Sequence, residues 1–337
     1  MRRLIFVLLI ALGLAPGTFV RSPAQLSLDG RSVEVMRLSL APSVQTQVKG
    51  SLKLTGAWEL TADHHFFGGF SALVARGDGT FLAGTDRGWA LTLPIEKNAP
   101  LTAPLDMKPV GREKRTGFEH IDLEALSWDE ERGELWAGYE HGNVIERIDA
   151  DGTRHEIRPV AMKDWVNNRA AETLTHLGDG RILVISETPE RNSKGVRYHD
   201  ALVFPRNMFD EGVGPTAFRF VSHRNYRPVD ATLMSDGRVA ILLREAVFSL
   251  PPRFKSAIMI ADPRLITPGG AWTGPIAMEM NSGSLTDNYE GIAWANDPNN
   301  DPDAQTQNAP QSGALYIISD DNFANFQRTL MLRLEWE

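Results

Sequence analysis

The chain has 337 residues and a formal net charge of −8, because 43 aspartate and glutamate residues outnumber 35 lysine and arginine residues. This acidic balance argues against a nucleic-acid partner. The sequence contains no cysteine, which excludes disulfides, zinc–thiolate sites and a lipid-modified N-terminal cysteine. A chain of this length can bury enough apolar surface to be stable without such crosslinks.

Residues 1–24 have the pattern of a secretory signal peptide. Arg2 and Arg3 precede an apolar run over 4–15, and the small residues of 22–24 suit a cleavage site. The apolar run is too short to span a bilayer comfortably, and an uncleaved anchor is the alternative. We expect a periplasmic or secreted protein without a stable membrane span. Cleavage would remove three arginines and no acidic residue, which shifts the net charge from −8 to −11.

Residues 25–50 are predicted to be an N-terminal extension, and residues 51–337 a single domain. Apolar residues alternate over 25–42, which predicts a hairpin. Residues 52–60 form a convincing strand just before the first of a series of repeats.

Five copies of one meander follow along the chain. Each copy has a short apolar strand, a turn rich in Gly or Asp, and a second strand with an acidic end. The copies begin at Phe70, Asp122, Ala171, Val229 and Tyr289. Their spacing of roughly 50 to 60 residues is that of propeller blades. The sequence therefore predicts an all-β β-propeller with five blades counted and six possible.

The ring is predicted to close through strands from both ends of the domain. Residues 328–336 are as strand-like as residues 52–60, and placing both in one blade would leave no exposed sheet edge. The hairpin over 25–42 would either supply part of a sixth blade or pack on the outside.

Acidic residues recur at two positions of the repeat. In a propeller the innermost strand of each blade runs along the central channel, so residues at one strand position form a ring. The first ring, at the start of the innermost strand, has Ser71, Glu124, Glu172, Asp230 and Glu290. The second ring, at the end of the second strand, has Asp86, Glu140, Glu187, Glu245 and Asp320, with Asp321 beside it.

Carboxylates crowded at one channel mouth repel each other unless they are protonated, paired with cations or bound to metal. A hard divalent cation, Ca²⁺ first, suits such oxygen ligands. The alternative is that these residues accept backbone N–H bonds at blade corners. The predicted metal ligands are Asp86, Glu140, Glu172, Glu187, Asp230, Asp320 and Asp321.

Basic residues near the rings are predicted to bind the anionic part of a substrate. Arg87, Arg169 and Arg244, with Arg328 as a further candidate, suit a phosphate or carboxylate. His141 follows Glu140 and could act as a general base, or it could be a plain turn histidine.

Three loops stand out by composition. Residues 97–121 form a basic insertion, residues 188–200 a second polar insertion, and residues 296–312 a low-complexity hairpin tip. The basic insertion is either a solvated loop or a lip that gathers anions. Its basic residues are Lys108, Arg112, Lys114 and Arg115, and those of the second insertion are Arg191, Lys194 and Arg197.

The order of several short strings carries a family resemblance. GGFSAL, GTDRG, DLEALSWD, NRAAETL, DNYEGIAW and LYIISDDNF occur in that order, and the chain resembles the bacterial "esterase-like activity of phytase" family over about residues 57–336. Ala171 stands where that family more often has glycine, and Asp230 where it has glutamate. The resemblance implies a secreted or periplasmic propeller with phosphoesterase or esterase chemistry. The positions it marks are Asp86 with Arg87, Glu124, Arg169 with Glu172, Asn288 with Glu290, and residues 320–322.

Two functions remain open from the sequence. The first is a metal-dependent hydrolase of a small anionic ester or phosphate, with Glu124, Glu290 and His141 as catalytic residues. Arg87, Arg169, Arg244 and Asn288 would bind its substrate. The second is a noncatalytic propeller that binds a ligand or an envelope partner and holds a purely structural Ca²⁺.

Overall fold

The computed structural model describes residues 31–94, 102–110, 122–140, 142–166, 171–206, 208–249, 252–296 and 313–336. Within this part of the chain, no helix has the length and apolar character needed to cross a bilayer. The predicted signal peptide, the first six residues of the extension, most of the basic insertion and nearly all of the hairpin tip lie outside the described residues.

The described residues form 24 strands, one short α-helix, α1 (Pro42–Gln45), and two 3₁₀ turns, Val160–Met162 and Pro263–Leu265. The first half of the strands, in chain order, is β1 (Ser32–Arg37), β2 (Lys49–Gly50), β3 (Leu52–Thr61), β4 (Phe70–Arg76), β5 (Thr80–Thr85), β6 (Trp89–Pro94), β7 (Thr102–Pro104), β8 (Asp106–Pro109), β9 (Leu123–Asp129), β10 (Glu134–Tyr139), β11 (Val144–Ile148) and β12 (Arg154–Ile157). The second half is β13 (Thr173–Leu177), β14 (Arg181–Arg191), β15 (Arg197–Phe204), β16 (Thr216–Phe220), β17 (Arg227–Leu233), β18 (Val239–Val247), β19 (Arg253–Ala261), β20 (Ala271–Trp272), β21 (Ile276–Met280), β22 (Asn288–Asn296), β23 (Gly313–Asp320) and β24 (Thr329–Trp336).

The strands form five sheets, which are the blades of a β-propeller. Blade 1 has the order β4-β5-β6-β8 and blade 2 the order β9-β10-β11-β12. Blade 3 has the order β13-β14-β15-β16-β20 and blade 4 the order β17-β18-β19-β21-β2. Blade 5 has the order β22-β23-β24-β3-β1-β7. The prediction of a five-bladed propeller is confirmed, and the described residues contain no sixth blade.

Blade 5 closes the ring as predicted, because β24 pairs antiparallel with β3 from Thr329 opposite Leu60 to Trp336 opposite Leu52. The N-terminal extension adds strands to the outside of two blades. β1 pairs with β3 at the outer side of blade 5, and β2 pairs with β21 at the outer edge of blade 4.

The innermost strands β4, β9, β13, β17 and β22 surround the axis. Each contacts the innermost strand of both neighbouring blades, so the ring of strands is continuous. Five clusters of buried apolar side chains lie between consecutive blades and form the core. Strands such as β14 and β18 contain continuous runs of buried apolar residues, because the two faces of a blade pack on different neighbours.

Gly291 lies where β22 packs against the backbone of β4. A Cβ atom at this position would lie 2.8 Å from the carbonyl carbon of Ala72 and 2.9 Å from the backbone nitrogen of Leu73. Because backbone atoms cannot move aside as a flexible side chain can, Gly291→Ala is expected to destabilise the protein by about 1 to 3 kcal/mol. Urea denaturation of the two proteins measures this difference.

Gly214→Ala is the matched control. A Cβ atom at Gly214 meets nothing within 4 Å, so this change is expected to stay within about 0.5 kcal/mol of the original protein. Equal stability of both variants would show that the blades have room to separate at Gly291.

Candidate functional site

The first two strands of each blade are antiparallel, so the start of the first strand lies beside the end of the second. Residues at these two positions therefore lie at the same end of the channel. The register pairs that define this end are Phe70 with Thr85, Leu123 with Tyr139, Thr173 with Ile185, Arg227 with Arg244, and Asn288 with Asp320.

A β-bulge at this end sets the side chains of the first ring. In four innermost strands one residue has no partner in the ladder, because the register skips it. Bulges re-aim a side chain and are frequent beside functional sites. The skipped residues are Ser71, Glu124, Val229 and Glu290.

The bulge in blade 4 changes the predicted first ring. It skips Val229, so Asp230 lies one position later than Glu124 and Glu290 do in their own strands. Asp230 therefore occupies the place of the small residues Ala72, Ala125 and Gly291, which face neighbouring strands. Apolar spacing alone could not show this shift of one residue.

The same register places Arg244 in the second ring. In their blades, Tyr139, Leu243 and Ser319 each pair with the residue just before the bulge. The next residue along the second strand is Glu140, Arg244 and Asp320, respectively, so Arg244 takes the second-ring position in blade 4. Glu245, predicted for this position, instead accepts a hydrogen bond from Lys255 Nζ at 3.0 Å. Four carboxylates and one guanidinium thus form the second ring.

Carboxylates from four blades meet at this end, which we call the acidic mouth. Asp86 of blade 1 and Asp320 of blade 5 affect each other electrostatically, as do Asp86 and Asp122. Glu140 and Glu172 share a hydrogen bond between their side chains, which joins blades 2 and 3. The acidic mouth consists of Asp86, Asp122, Glu124, Glu140, Glu172, Glu187, Glu290 and Asp320.

Three carboxylates of blade 2 have the geometry of a cation site. Each of Asp122, Glu124 and Glu140 offers one oxygen, and the three oxygens lie within 4.8 Å of one another. Asp122 and Glu140 are held together by the backbone, since the Glu140 N–H donates to the Asp122 carbonyl at 3.0 Å. Oxygen donors at such separations match what a hard divalent cation needs. We call these three residues the carboxylate triad.

The pKa values of the triad residue Glu124 and of its neighbour Glu172 are raised, which disfavours their charged forms. Desolvation raises the pKa of Glu124 well above its usual value, and the charges of Glu172, Glu140 and Asp122 raise it further. Desolvation also raises the pKa of Glu172, with a contribution from Glu187 that the Arg244 guanidinium partly offsets. A hydrogen bond between two carboxyl groups requires a proton on one of them. A divalent cation would remove this need by supplying the positive charge itself.

Asp86 and Asp320 have pKa values closer to neutrality. Burial raises the pKa of Asp86 to about 6, against the lowering effect of Arg87. Burial raises the pKa of Asp320 to about 7, although the Asn322 N–H donates to its carboxylate. Groups with such values can exchange protons under physiological conditions.

Arg244 binds the carboxylates on both sides of blade 4. Its guanidinium donates to Glu187 Oε1 at 3.1 Å and to Asn288 Oδ1 at 2.9 Å, and it also donates to Glu290. Asn288 extends this network by donating to Glu290 at 2.8 Å and to Asp320 at 3.1 Å. Arg244 and Asn288, both predicted to bind substrate, are therefore at the mouth and hold its acidic side chains in place.

Two predicted metal ligands hold the backbone together. Asp321 is fully buried and accepts hydrogen bonds from the N–H groups of Gly69 and Phe323 and from the Thr329 hydroxyl. Asp230 is also fully buried. It accepts from the N–H groups of Ala231 and Ile292, both at 2.8 Å, and from that of Leu73. Each of these two carboxylates thus links segments of different blades.

The remaining predicted basic residues have other positions. Arg87 donates to the His65 carbonyl at 3.0 Å and lies over the Phe323 ring. Arg328 pairs with Glu59 at 3.6 Å. His141 and Arg169 lie outside the described residues, so their predicted roles stay predictions.

Asp122 was not among the predicted metal ligands, although it belongs to the carboxylate triad. A signal for it was available, because Asp122 is two residues before Glu124, and in an extended chain such residues point to the same side. Asp122 lies just before β9 and Glu124 lies at its bulge, so the rule indicates that the two residues are neighbours but does not fix where their side chains point.

The sequence profile of the family described as "Phytase-like: Esterase-like activity of phytase" matches residues 65–323. This range covers more than half of the 337 residues. The chain belongs to this family. The predicted resemblance is confirmed, and every residue of the acidic mouth lies inside the part of the chain that matches the phytase-like family.

Other comparisons add little to the family assignment. The comparison with curated proteins gives no match. Among solved structures, the chain is similar to a streptogramin B lyase, with 12% identity, a TM-score of 0.38 and coverage of 90% of this chain and 98% of the other. Virginiamycin B lyase from Staphylococcus aureus has 12% identity, a TM-score of 0.36 and coverage of 80% and 95%. The WD40 β-propeller domain of Doa1 has 9% identity, a TM-score of 0.39 and coverage of 95% and 96%. None of these similarities carries a functional conclusion.

The raised pKa values predict how stability of this phytase-like propeller depends on pH. The pKa values of Asp86 and Asp320 in the folded protein, about 6 and about 7, lie above the ordinary value of 3.8. The folded state therefore binds more protons than the unfolded state between about pH 4 and about pH 7, and the contribution of both groups to stability falls as the pH rises through this range.

A cation at the mouth would reverse this loss, because it stabilises the charged carboxylates. In EDTA we expect the Tm to fall between about pH 5 and about pH 8, and the Tm increase caused by added Ca²⁺ to be larger at the higher pH. Thermal unfolding at both pH values, with EDTA and with Ca²⁺, measures this. An equal Ca²⁺ effect at both values would contradict a link between the cation and these carboxylates.

Proposed function

We propose that this chain is an exported, divalent-cation-dependent hydrolase of phosphate esters whose reaction takes place at the acidic mouth. The observation that carries the proposal is the carboxylate triad, in which three oxygens lie within 4.8 Å of one another. Membership of the phytase-like family, with its esterase-like description, supports the reaction class. Because a propeller fold hosts many functions, the site itself has to be tested.

Asp122, Glu124 and Glu140 would hold the cation, with Ca²⁺ as the first candidate. Their surroundings suit this role, since Glu172 bonds to Glu140 and raises the pKa of Glu124 through its charge. Bound there, the cation would supply Lewis-acid polarisation of a phosphoryl oxygen and would acidify a water molecule.

Asp320 is the residue best suited to transfer a proton. Its pKa is about 7 without a cation and would fall when the cation binds, so Asp320 would then be ionised at neutral pH and would accept a proton from the attacking water. Asn288 donates to the Asp320 carboxylate and thereby orients it. Glu290 was predicted to be catalytic, but its bonds to Arg244 and Asn288 suit it to fixing that network.

A noncatalytic role is the second candidate. It is favoured by the extensive pairing at the mouth, where Arg244 already binds Glu187, Glu290 and Asn288. In this case the propeller would bind a ligand or an envelope partner, and the cation would only hold the blades together.

A panel of phosphate monoesters, phosphate diesters and carboxylate esters, assayed in EDTA and with added Ca²⁺, separates the two candidates. A hydrolase is expected to lose turnover of at least one phosphate ester in EDTA and to regain it with Ca²⁺. A protein whose Tm rises with Ca²⁺ but which turns over nothing in the panel would instead be the binding protein.

Export forms part of the proposal because residues 1–24 have the signal-peptide pattern. Intact mass measurement on protein recovered from the periplasm or medium should show a chain that begins after Ala24. A chain that keeps Met1 would contradict cleavage.

A further inference from the structure

A cavity lies at the end of the central channel opposite the acidic mouth. Its volume is about 320 Å³, and all five innermost strands contribute to its lining. The mouth is formed where these strands begin, whereas this cavity is lined by residues near their ends, such as Asp129 of β9 and Leu233 of β17. Its size is that of a site for a small molecule. We call it the far-end pocket.

The lining of the far-end pocket is acidic. It contains the carboxylates of Asp129, Glu130 and Glu131, and the part of the chain that the structure describes adds no lysine or arginine to it. Arg132 pairs with Asp129 at 2.9 Å and with Glu131 at 3.2 Å, and His176 Nε2 lies 3.2 Å from Asp129 Oδ2. Even with His176 protonated, three negative charges face two positive ones. The pocket therefore favours a cationic ligand over an anionic one.

Glu130 is the carboxylate of the lining that has no cationic partner among the described residues. Its Oε2 accepts hydrogen bonds from Trp128 Nε1 at 2.6 Å and from the Gly77 N–H at 2.7 Å. Both donors are neutral, and the bonds described for this carboxylate leave Oε1 without a donor. An ammonium group could donate a charge-assisted hydrogen bond to this oxygen.

Thr175 supplies a second unfilled acceptor, on β13 of blade 3. It lines the far-end pocket and is only 3% exposed, and its hydroxyl has no hydrogen bond to any described residue. A buried hydroxyl without a partner is unfavourable. Its oxygen can accept a hydrogen bond from an N–H group, so a ligand with such a donor would remove this cost.

Two tryptophans give the far-end pocket apolar surface. Trp128 of blade 2 is half-buried and Trp294 of blade 5 is 8% exposed, and both line the pocket. Their indole N–H groups are already bonded, to Glu130 and to Asn296 Oδ1 respectively. What these rings offer a ligand is therefore their carbon surface, which packs on apolar groups and attracts cations.

We propose that the far-end pocket binds a small organic cation that carries a primary ammonium group on an apolar body. The ammonium group would donate hydrogen bonds to Glu130 and Thr175, and the carbon atoms would pack on the two tryptophans. This site is separate from the acidic mouth, because it lies at the other end of the channel and binds without a metal ion. The proposal does not rest on the proposed hydrolase function.

Calorimetric titration of the whole protein with cyclohexylamine, which is protonated at neutral pH, tests the far-end pocket. Cyclohexanol is the matched ligand, because it has nearly the same size and shape but no charge. We expect saturable binding of the ammonium ion and binding of the alcohol that is about tenfold weaker or more. Absence of saturable binding at millimolar cyclohexylamine, or equal affinity for the two ligands, would overturn the proposal.

Two substitutions test the named acceptors. Glu130→Gln removes the charge and keeps a carbonyl oxygen for the Trp128 and Gly77 donors, and it is expected to weaken cyclohexylammonium binding about fivefold. Thr175→Val removes the hydroxyl at nearly constant shape and is expected to weaken binding to a similar extent. Its Tm should stay equal or rise, because a buried group without a partner is lost. Unchanged affinity in both variants would contradict the assignment.

Two further variants control for other carboxylates. Asp151→Asn removes an exposed carboxylate outside the pocket lining, and Glu124→Gln alters the acidic mouth. Both are expected to bind cyclohexylammonium with the affinity of the original protein. A loss in Asp151→Asn as large as in Glu130→Gln would show that overall charge attracts the cation. A loss in Glu124→Gln together with normal binding in Glu130→Gln would place the cation at the mouth. Either result would overturn the proposal.

Discussion

Replacing Glu124 with glutamine is expected to reduce turnover about a hundredfold or more and to abolish Ca²⁺ binding at the acidic mouth. Glutamine keeps the size of the side chain and one carbonyl oxygen but removes the charge. Since Glu124 belongs to the carboxylate triad, the loss of its charge leaves two carboxylates for the cation. Calcium titration calorimetry and steady-state kinetics on the best phosphate ester of the panel measure the two effects.

The stability of Glu124→Gln should separate a functional from a structural role. Desolvation and four neighbouring carboxylates raise the pKa of Glu124, so in EDTA its charge opposes folding at neutral pH. The variant is therefore expected to unfold in EDTA at the same Tm as the original protein or at a higher one. A clear fall in Tm would indicate that Glu124 supports the fold, and unchanged Ca²⁺ affinity would place the cation elsewhere.

Glu131→Gln serves as the matched control on the same blade. Glu131 lies in the turn between β9 and β10, and its side chain is 75% exposed. Turnover and Ca²⁺ affinity are expected to stay unchanged, because surface charges of this kind contribute little.

Asp230→Ala is expected to destabilise the protein by at least about 3 kcal/mol. The carboxylate accepts the N–H groups of Ala231, Ile292 and Leu73, and each buried donor left without an acceptor costs about 1 to 3 kcal/mol. Ile292 and Leu73 belong to the innermost strands of blades 5 and 1, so the loss should loosen three blades together. Urea denaturation followed by tryptophan fluorescence measures the change.

Asp236→Ala controls for the removal of an aspartate from blade 4. Asp236 lies in the turn between β17 and β18, where its carboxylate accepts hydrogen bonds from the N–H and the guanidinium of Arg238. A change within about 1 kcal/mol is expected. If Asp230→Ala were as mild as this control, water would be replacing the lost acceptor.

The architecture could be predicted from the sequence because each blade carries its own local signals. Turns with Gly at positive φ, such as Gly79 and Gly237, separate strands whose apolar residues pack on two neighbouring blades. Pairing at the outer edges is different. β2 pairs with β21 far along the chain, and β1 pairs with the nearby β3. Neither short strand carries a pattern that identifies its partner.

The gathering of acidic residues was predictable, whereas their individual roles were not. A repeat in the sequence identifies equivalent positions only to within one residue when a bulge can move. In blade 4 the bulge skips Val229, and this places Asp230 among the strands and Arg244 in the ring. Hydrogen-bond partners such as those of Asp321 depend on segments that the chain brings together only in three dimensions.

The pairing of β24 with β3 has a consequence for how the molecule is made. Blade 5 takes strands from residues 52–61 and 329–336, which are synthesised far apart in time. Until β24 emerges from the ribosome, β3 and β23 each present an open hydrogen-bonding edge. Blades 1 to 4 can meanwhile assemble in order, but the circle remains open. Nascent chains stalled before residue 329 should thus be sensitive to proteases and prone to aggregate. Chains that include β24 should be resistant to proteases and should not aggregate.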